Sequence, residues 1–323
     1  MTLTLADLYA SPDHYLHSFD GDTAVFVPMN RAAYHRSIFL DARISPAEDG
    51  ALRIPVAALG SATATPAPTG WIMHVAHCGS TLLARALDST DANLVLREPQ
   101  ALRQLAFLPA DTRLGLTLAM LAKRYRPDAP TIVKGNVPTN FLLPRIMTAD
   151  KQARMIALHL PLRDYLLAIL RSDNHRTWLR NVTTQLAGHI GAMPQASDAE
   201  RAAALWLAQM QLYANLATTL PNARSVDAEI FFADPRDVLD VAATHLGVPL
   251  SRADIEARVT GPLFATYSKD PSQSFDNAER VARRQGIERD LLIEIGQAEQ
   301  WIARRDAEAK AALAAVASIA ILR

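Results

Sequence analysis

The chain has 323 residues, half of them hydrophobic and a fifth charged, which is typical of a globular protein rather than a disordered one. It carries 33 Lys and Arg against 33 Asp and Glu, so no basic excess indicates a nucleic acid or an anionic membrane as partner. The single cysteine, Cys78, excludes an intramolecular disulfide and a cysteine-rich zinc site, and it fits a reducing compartment.

The first 60 residues differ from the rest of the chain. Short strand patterns at 23–28 and 37–40 predict a small β-rich N-terminal appendage over 1–60, ahead of a main domain over 61–323. The N-terminus lacks the basic and apolar segments of a signal peptide. The longest apolar stretch, 311–322, is shorter than the roughly 20 residues that cross a bilayer. We therefore expect a cytoplasmic protein without a membrane span.

Strand and helix patterns alternate from residue 71 onwards. Short apolar runs predict buried strands at 71–76, 93–96, 131–134 and 154–160, most of them followed by a helical pattern. The second half reads as largely helical, with a last strand at 223–230. It includes helices over 198–220 and 234–246, a polar loop at 270–276 and a final helix from 289. The fold class is therefore α/β, predicted as a three-layer α/β/α arrangement with a central parallel sheet and helices on both faces. Ligands bind such sheets beyond the carboxyl ends of the strands.

The first of these strands runs into a short polar turn and then directly into a helical pattern. The amides and hydroxyls of such a turn lie at a helix N-terminus, where orphan N–H groups and the helix dipole favour an anion such as phosphate. The candidate binding residues are His77, Cys78, Gly79, Ser80, Thr81 and Leu82. The alternative is an ordinary turn with a Ser or Thr N-cap. Cys78 is interpreted as a small residue whose backbone faces the anion, rather than as a nucleophile.

The same turn lacks the signature of nucleoside-triphosphate binding. No Lys follows Gly79 and no Gly lies five residues before it. The sequence Cys-Gly-Ser-Thr-Leu-Leu instead resembles the phosphosulfate-binding loop of sulfotransferases. Segment 133–138 is similar to their Lys-Thr-His-x-Pro strand end, and 227–235 with the following Leu246-Gly247 is similar to a later family segment. The resemblance, which extends over about residues 70–250, implies a P-loop-like three-layer fold and 3′-phosphoadenosine 5′-phosphosulfate as donor.

Several positions depart from the family pattern. His77 stands where the family usually has Lys or Arg, and Asn136 stands where it has a catalytic His. Leu160 and Ala168 occupy the positions of the family's 3′-phosphate-binding Arg and Ser. Arg163, Arg171 and Ser172 lie nearby, and a shifted register would let them substitute. Lys269 is expected on a C-terminal loop that closes over the nucleotide, with an exposed polar loop as the alternative.

Three residues are candidates for the chemistry of sulfuryl transfer. Glu98, which follows the second strand, resembles the base of some sulfotransferase branches, and partial desolvation there is expected to raise its pKa. The alternative is that Glu98 only lies near the dipole of the helix that begins at Pro99. Lys134 ends the third strand and is predicted to reach the sulfuryl or leaving oxygen, while His77 can donate one hydrogen bond there. His159 is a second candidate base, and no metal is expected.

The sequence therefore predicts a sulfotransferase-like enzyme that acts on a hydroxyl of a small-molecule or peptide acceptor. Two alternatives remain: a P-loop-type kinase or nucleotide hydrolase, and a non-catalytic nucleotide-binding protein that kept the fold. Neither the acceptor nor the oligomeric state can be identified from the residues.

Overall fold

The structure is a computed structural model that describes residues 4–60, 67–108 and 113–322. The predicted boundary between appendage and main domain borders on residues 61–66, outside the described residues. Within the described chain, no helix is both long and apolar enough to cross a membrane. The strands form three sheets, and their bounds are β1 His14–Asp20, β2 Thr23–Pro28, β3 Leu52–Pro55, β4 Thr69–His74, β5 Leu94–Arg97, β6 Thr131–Lys134, β7 Arg154–His159, β8 Ala223–Asp227, β9 Thr266–Tyr267 and β10 Asp270–Ser274.

The central sheet has five parallel strands in the order β5-β6-β4-β7-β8, so β4 lies in the middle. All residues of β4, β5 and β6 are buried. Burial of both faces is typical of a parallel sheet covered by helices on either side, and it explains why these strands are continuous apolar runs in the sequence. The α/β fold class predicted from the sequence is confirmed.

Helices occupy most of the remaining described residues, and their bounds are α1 Leu5–Ala10, α2 Arg31–Arg36, α3 Val56–Leu59, α4 Ser80–Ala86, α5 Gln100–Leu105, α6 Arg113–Leu121, α7 Leu143–Ala149, α8 Leu162–Ile169, α9 Asp173–Gln185, α10 Ala187–Ile190, α11 Asp198–Thr219, α12 Ala228–Ala233, α13 Pro235–Leu246, α14 Arg252–Val259, α15 Pro262–Ala265, α16 Asn277–Asp290, α17 Leu292–Ala303 and α18 Asp306–Ser318. A 3₁₀ helix, Val137–Leu142, follows β6.

The long helix α11 connects the core to the carboxyl edge of the central sheet. It begins with a capping box between Ser197 and Glu200. Its apolar stripe is buried, and Trp206 donates a hydrogen bond to the Leu160 carbonyl at 2.9 Å. Gln209 donates to the carbonyl of His74 at 3.1 Å. The helix therefore fixes the carboxyl ends of β4 and β7.

The N-terminal part forms an antiparallel sheet in the order β1-β2-β3. Only β2 of its strands was predicted from the sequence, since β1 and β3 were missed. The strand predicted at 37–40 is wrong, because Arg97 occupies the carbonyls there: it donates to Ser37 at 2.7 Å and to Ile38 at 3.2 Å. These carbonyls therefore accept hydrogen bonds from the buried guanidinium of Arg97 and not from a neighbouring strand.

Three predictions for the C-terminal third also differ from the structure. The segment 270–276, expected as a polar loop, contains β10, which pairs with β9 in an antiparallel hairpin. The single final helix expected from residue 289 is replaced by α16, α17 and α18, and Gly286 lies inside α16. Strand 223–230 ends at Asp227, which caps α12 by accepting a hydrogen bond from the Glu229 amide.

Candidate active site

The loop between β4 and α4 has a backbone shape that few residues adopt. His77 has φ +61° and Gly79 has φ +80°, both in the left-handed region. A Cβ placed on Gly79 would lie 2.6 Å from Cζ of Phe232, so only glycine fits beneath that ring. Gly79 is the N-cap of α4 and provides no side-chain cap. The first amides of α4 therefore lack the usual capping side chain, as an anion-binding turn requires.

The side chains of this loop differ in what they can offer a ligand. Cys78 is fully buried, and desolvation raises the pKa of its thiol to about 11. Its thiol is therefore inert, in agreement with the interpretation of Cys78 as a small loop residue. Ser80 and Thr81 are also buried, and within the described residues the Thr81 hydroxyl has no hydrogen-bond partner. Leu82 packs into the core, so only its backbone is available to a ligand.

Glu98 and Lys134 form an ion pair at the same edge of the sheet. Because Arg97 of β5 lies in register with Lys134 of β6, the Glu98 amide donates to the Lys134 carbonyl at 2.7 Å. Lys134 Nζ lies 2.6 Å from Glu98 Oε1, and the lysine side chain is fully buried. The sequence placed both residues at strand ends, and the structure brings them into direct contact.

A neutral histidine completes this pair. His74 Nδ1 lies 2.8 Å from the Val75 carbonyl, and Nε2 lies 3.0 Å from Lys134 Nζ. Burial, reinforced by the Lys134 charge, lowers the pKa of His74 to about 3. Nε2 also lies 2.9 Å from the Gly135 carbonyl, so the neutral ring, which has one N–H group, donates to only one of the two carbonyls. Sequence reasoning missed this residue, which lies within an apolar strand.

The predicted raised pKa of Glu98 is wrong. Burial alone would raise the pKa of this carboxyl, but attraction to Lys134, with smaller contributions from His74 and Lys269, outweighs it and lowers the pKa to about 2. Glu98 is therefore ionised and bound to a cation. Its backbone has φ +58°, so Glu98 and His77 are the only non-glycine residues of the described chain with positive φ. Such strain is concentrated at functional sites in proteins.

The N-terminal part contributes a further cation. Arg43 Nη2 lies 3.8 Å from Glu98 Oε2, and its guanidinium lies 3.8 Å above the Phe39 ring. Two hydrogen bonds to Asp41 hold the arginine in place. Arg43 and Asp41 follow α2 in the sequence, outside any motif. Only folding brings Arg43 close to Glu98.

His77 packs against side chains of α9. Its ring lies edge-on to His175 with centroids 4.4 Å apart, and Trp178 lies at 6.3 Å. Arg171 Nη2 lies 3.4 Å from His175 Nε2, and the Ser172 hydroxyl contacts His175 Nδ1. The predicted residues Arg171 and Ser172 therefore contact His175, whose ring packs against the loop histidine.

Lys269 lies at the turn of the β9–β10 hairpin. Arg85 of α4 anchors this turn by donating to the Ser268 carbonyl at 2.9 Å. Desolvation lowers the pKa of Lys269, and Lys134 adds to the effect while Glu98 opposes it. The Lys269 ammonium likewise lowers the pKa values of His77 and Glu98. The hairpin thus brings this predicted cation to the loop.

Arg163, also predicted to bind the nucleotide, points to other partners. It donates to Glu288 at 2.8 Å and to Glu299 at 3.1 Å, so α16 and α17 hold its guanidinium. Asn136 accepts from the amide and hydroxyl of Thr139 and caps the 3₁₀ helix. His159, the second candidate base, has a lowered pKa, mainly through burial.

The part of the chain that the structure describes contains no group of three or more His, Cys, Asp or Glu side chains that could hold a metal ion. The cations Lys134, Lys269 and Arg171 instead suit a ligand that brings several negative charges.

Comparison with known proteins gives structural matches only. No family model matches the sequence, and no curated protein matches it. The sulfotransferase domain from the curacin biosynthetic pathway is 13% identical, covers 70% of this chain and 98% of its own, and has a TM-score of 0.43. The sulfotransferase from Alicyclobacillus acidocaldarius is 16% identical, covers 73% of this chain and 96% of its own, and has a TM-score of 0.40. Both likenesses are distant, so the functional argument depends on the geometry of the site.

Proposed function

We propose that this protein transfers a sulfuryl group from 3′-phosphoadenosine 5′-phosphosulfate to a hydroxyl of a small acceptor. The observation that carries the proposal is the ion pair of Glu98 and Lys134, held at the carboxyl edge of the sheet beside the β4–α4 loop. A base and a cation in contact are the two groups that hydroxyl sulfation requires.

The loop holds the donor's 5′-phosphate in this proposal. The amides at the start of α4 and the hydroxyls of Ser80 and Thr81 provide the donors, and the unpartnered Thr81 hydroxyl supports this role. Arg171 and Ser172 are the proposed partners of the 3′-phosphate, because they contact His175, which packs against His77 of the loop. Arg163 is left out, since Glu288 and Glu299 already hold it.

The sulfuryl transfer step uses two side chains, Lys134 and Glu98. The acceptor oxygen forms a bond to sulfur while the bond from sulfur to the bridging phosphosulfate oxygen breaks, leaving 3′,5′-diphosphoadenosine. Lys134 stabilises the negative charge that develops on the departing oxygen. Glu98 takes the proton of the acceptor hydroxyl, so the sulfate ester and the nucleotide product account for all atoms and charges.

Donor binding is also what makes Glu98 basic in this proposal. With Lys134 at 2.6 Å, the pKa of Glu98 is about 2, too low for efficient proton removal. The sulfuryl and phosphate oxygens of the donor give Lys134 a second anionic partner. Once the ammonium turns towards the donor, burial dominates and the pKa of Glu98 rises. The buried contact between Lys134 and His74 keeps the ammonium oriented during this exchange.

A calorimetric titration with 3′,5′-diphosphoadenosine tests the proposal, with ATP and Mg²⁺ as the competing ligand. We expect tight binding of the diphosphate without metal, and weaker binding in Lys134→Met. Preference for ATP with Mg²⁺ would instead indicate a kinase or nucleotide hydrolase. Absence of binding by either nucleotide would contradict the proposed function.

Binding alone does not separate an enzyme from a non-catalytic nucleotide-binding protein. Incubation with the sulfuryl donor and a mixture of hydroxylated compounds, followed by mass spectrometry, makes that distinction. A product heavier by one sulfuryl group that is lost in Glu98→Gln supports the enzyme. Tight nucleotide binding with no transfer to any acceptor class would favour the non-catalytic alternative.

A further inference from the structure

His77 is the one loop side chain that can change its charge near neutral pH. Its ring packs against His175 at 4.4 Å and near Trp178 at 6.3 Å. Within the described chain, neither of its ring nitrogens makes a hydrogen bond, although the residue is half-buried. An imidazole held by ring packing with both nitrogens unpartnered is suited to bind a ligand.

The four side chains with the largest electrostatic effects on His77 are all basic. Lys269 reaches it from the β9–β10 hairpin, Arg171 and His175 from α9 and the residues before it, and His74 from β4. Desolvation is the largest effect, and these groups add to it, so the pKa of His77 lies well below its ordinary value. The ring is neutral when no ligand is bound.

A bound phosphate group acts on the pKa of His77 in the opposite direction. It brings two negative charges to a group of basic side chains, and an anion close to His77 favours the protonated ring. We propose that His77 takes up a proton from solvent when a phosphate dianion binds the loop, and releases that proton when the anion leaves. His175 is a positioning residue whose ring holds His77 against the loop. This inference rests on the proposed nucleotide site.

The proposal explains how this loop functions without a permanent cation. A lysine would carry its charge whether the site is full or empty, and it would add to the repulsion among Lys269, Lys134 and Arg171 in the empty site. A histidine is charged only while the anion is present. The empty protein avoids that repulsion, and binding becomes dependent on pH.

Affinity for 3′,5′-diphosphoadenosine measured against pH tests this inference. Because the bound form carries the extra proton, affinity should rise as pH falls below the bound-state pKa, approaching tenfold per pH unit. His77→Lys should bind with a much flatter profile, and His77→Asn should bind weakly at every pH. Titration of the phosphates themselves is common to all variants, so the difference between profiles isolates His77. His17→Asn in β1 serves as the control histidine and should match the natural chain.

Calorimetry in two buffers of different ionisation enthalpy counts the protons directly. We expect uptake approaching one proton for the natural chain and none attributable to the loop in His77→Lys. His175→Phe retains the ring contact and should retain the uptake, whereas His175→Ala should lose much of it.

Two failures can be told apart. If the natural chain and His77→Lys bind the nucleotide with the same pH profile and the same proton count, the inference is wrong and the proposed nucleotide site stands. If neither binds the nucleotide at any pH, both are wrong.

Discussion

The ion pair of Glu98 and Lys134 makes a quantitative prediction about stability. The side chain of Lys134 is fully buried and that of Glu98 is 14% exposed, so water screens their 2.6 Å contact only weakly. Glu98→Gln removes the negative charge and leaves the Lys134 ammonium with His74 Nε2 as a neutral partner. We expect a marked loss of folding free energy that depends on pH.

The magnitude follows from the pKa of Glu98, which falls from its ordinary 4.5 to about 2. At about 1.4 kcal/mol per pKa unit, the depressed pKa contributes roughly 3 kcal/mol at pH 7. For a carboxyl with a lowered folded-state pKa, this contribution is complete above the unfolded value and is lost as pH falls towards the folded value. It should therefore shrink to roughly 1.5 kcal/mol near pH 3.

Urea unfolding of the natural chain and Glu98→Gln at the two pH values measures this difference. Glu256→Gln is a matched control, because Glu256 pairs with Arg236 on the exposed surface and its removal should have little effect. A loss for Glu98→Gln that is the same at both pH values would refute the argument that Lys134 holds Glu98 ionised.

Three further predictions concern the loop and its hairpin. Gly79→Ala should destabilise the protein by roughly 2 kcal/mol or more and abolish nucleotide binding, because it combines φ +80° with a 2.6 Å approach to Phe232. Phe232→Leu added to it should restore little of the stability, since the backbone strain persists; full recovery in urea unfolding would show that φ is unimportant. Cys78 should not react with a thiol reagent in the folded protein and should react once urea unfolds it, as its thiol is fully buried with a pKa of about 11. Lys269→Ala should weaken binding of 3′,5′-diphosphoadenosine in calorimetry, most strongly at low salt, and unchanged affinity would remove the hairpin from the site.

Much of the fold follows from local patterns that the structure preserves. Strand β6 has the predicted bounds, because three β-branched residues precede Lys134. Helix α13 ends as expected where Gly247 adopts φ +73°. The hairpin at Asp270–Ser274 escaped prediction because its residues are polar and exposed, so pairing with β9 rather than intrinsic strand propensity fixes it.

The sequence predicted where the candidate site residues lie along the sheet edge, but it did not predict the direction of the Glu98 pKa shift. Parallel strands end at one edge, which is why Glu98 and Lys134 could be placed together from sequence. Their direct contact depends on the register of β5 against β6, and that contact reverses the expected pKa shift. Arg43 and His175 reach the site from elements far away in sequence, so no local motif could reveal them.

A crystal structure of the complex with 3′,5′-diphosphoadenosine would show where the nucleotide binds. We expect one phosphate on the amides of Gly79 to Thr81, with Lys134 Nζ turned from Glu98 towards the nucleotide. A nucleotide bound away from this loop, or a loop whose amides face no phosphate, would contradict this expectation.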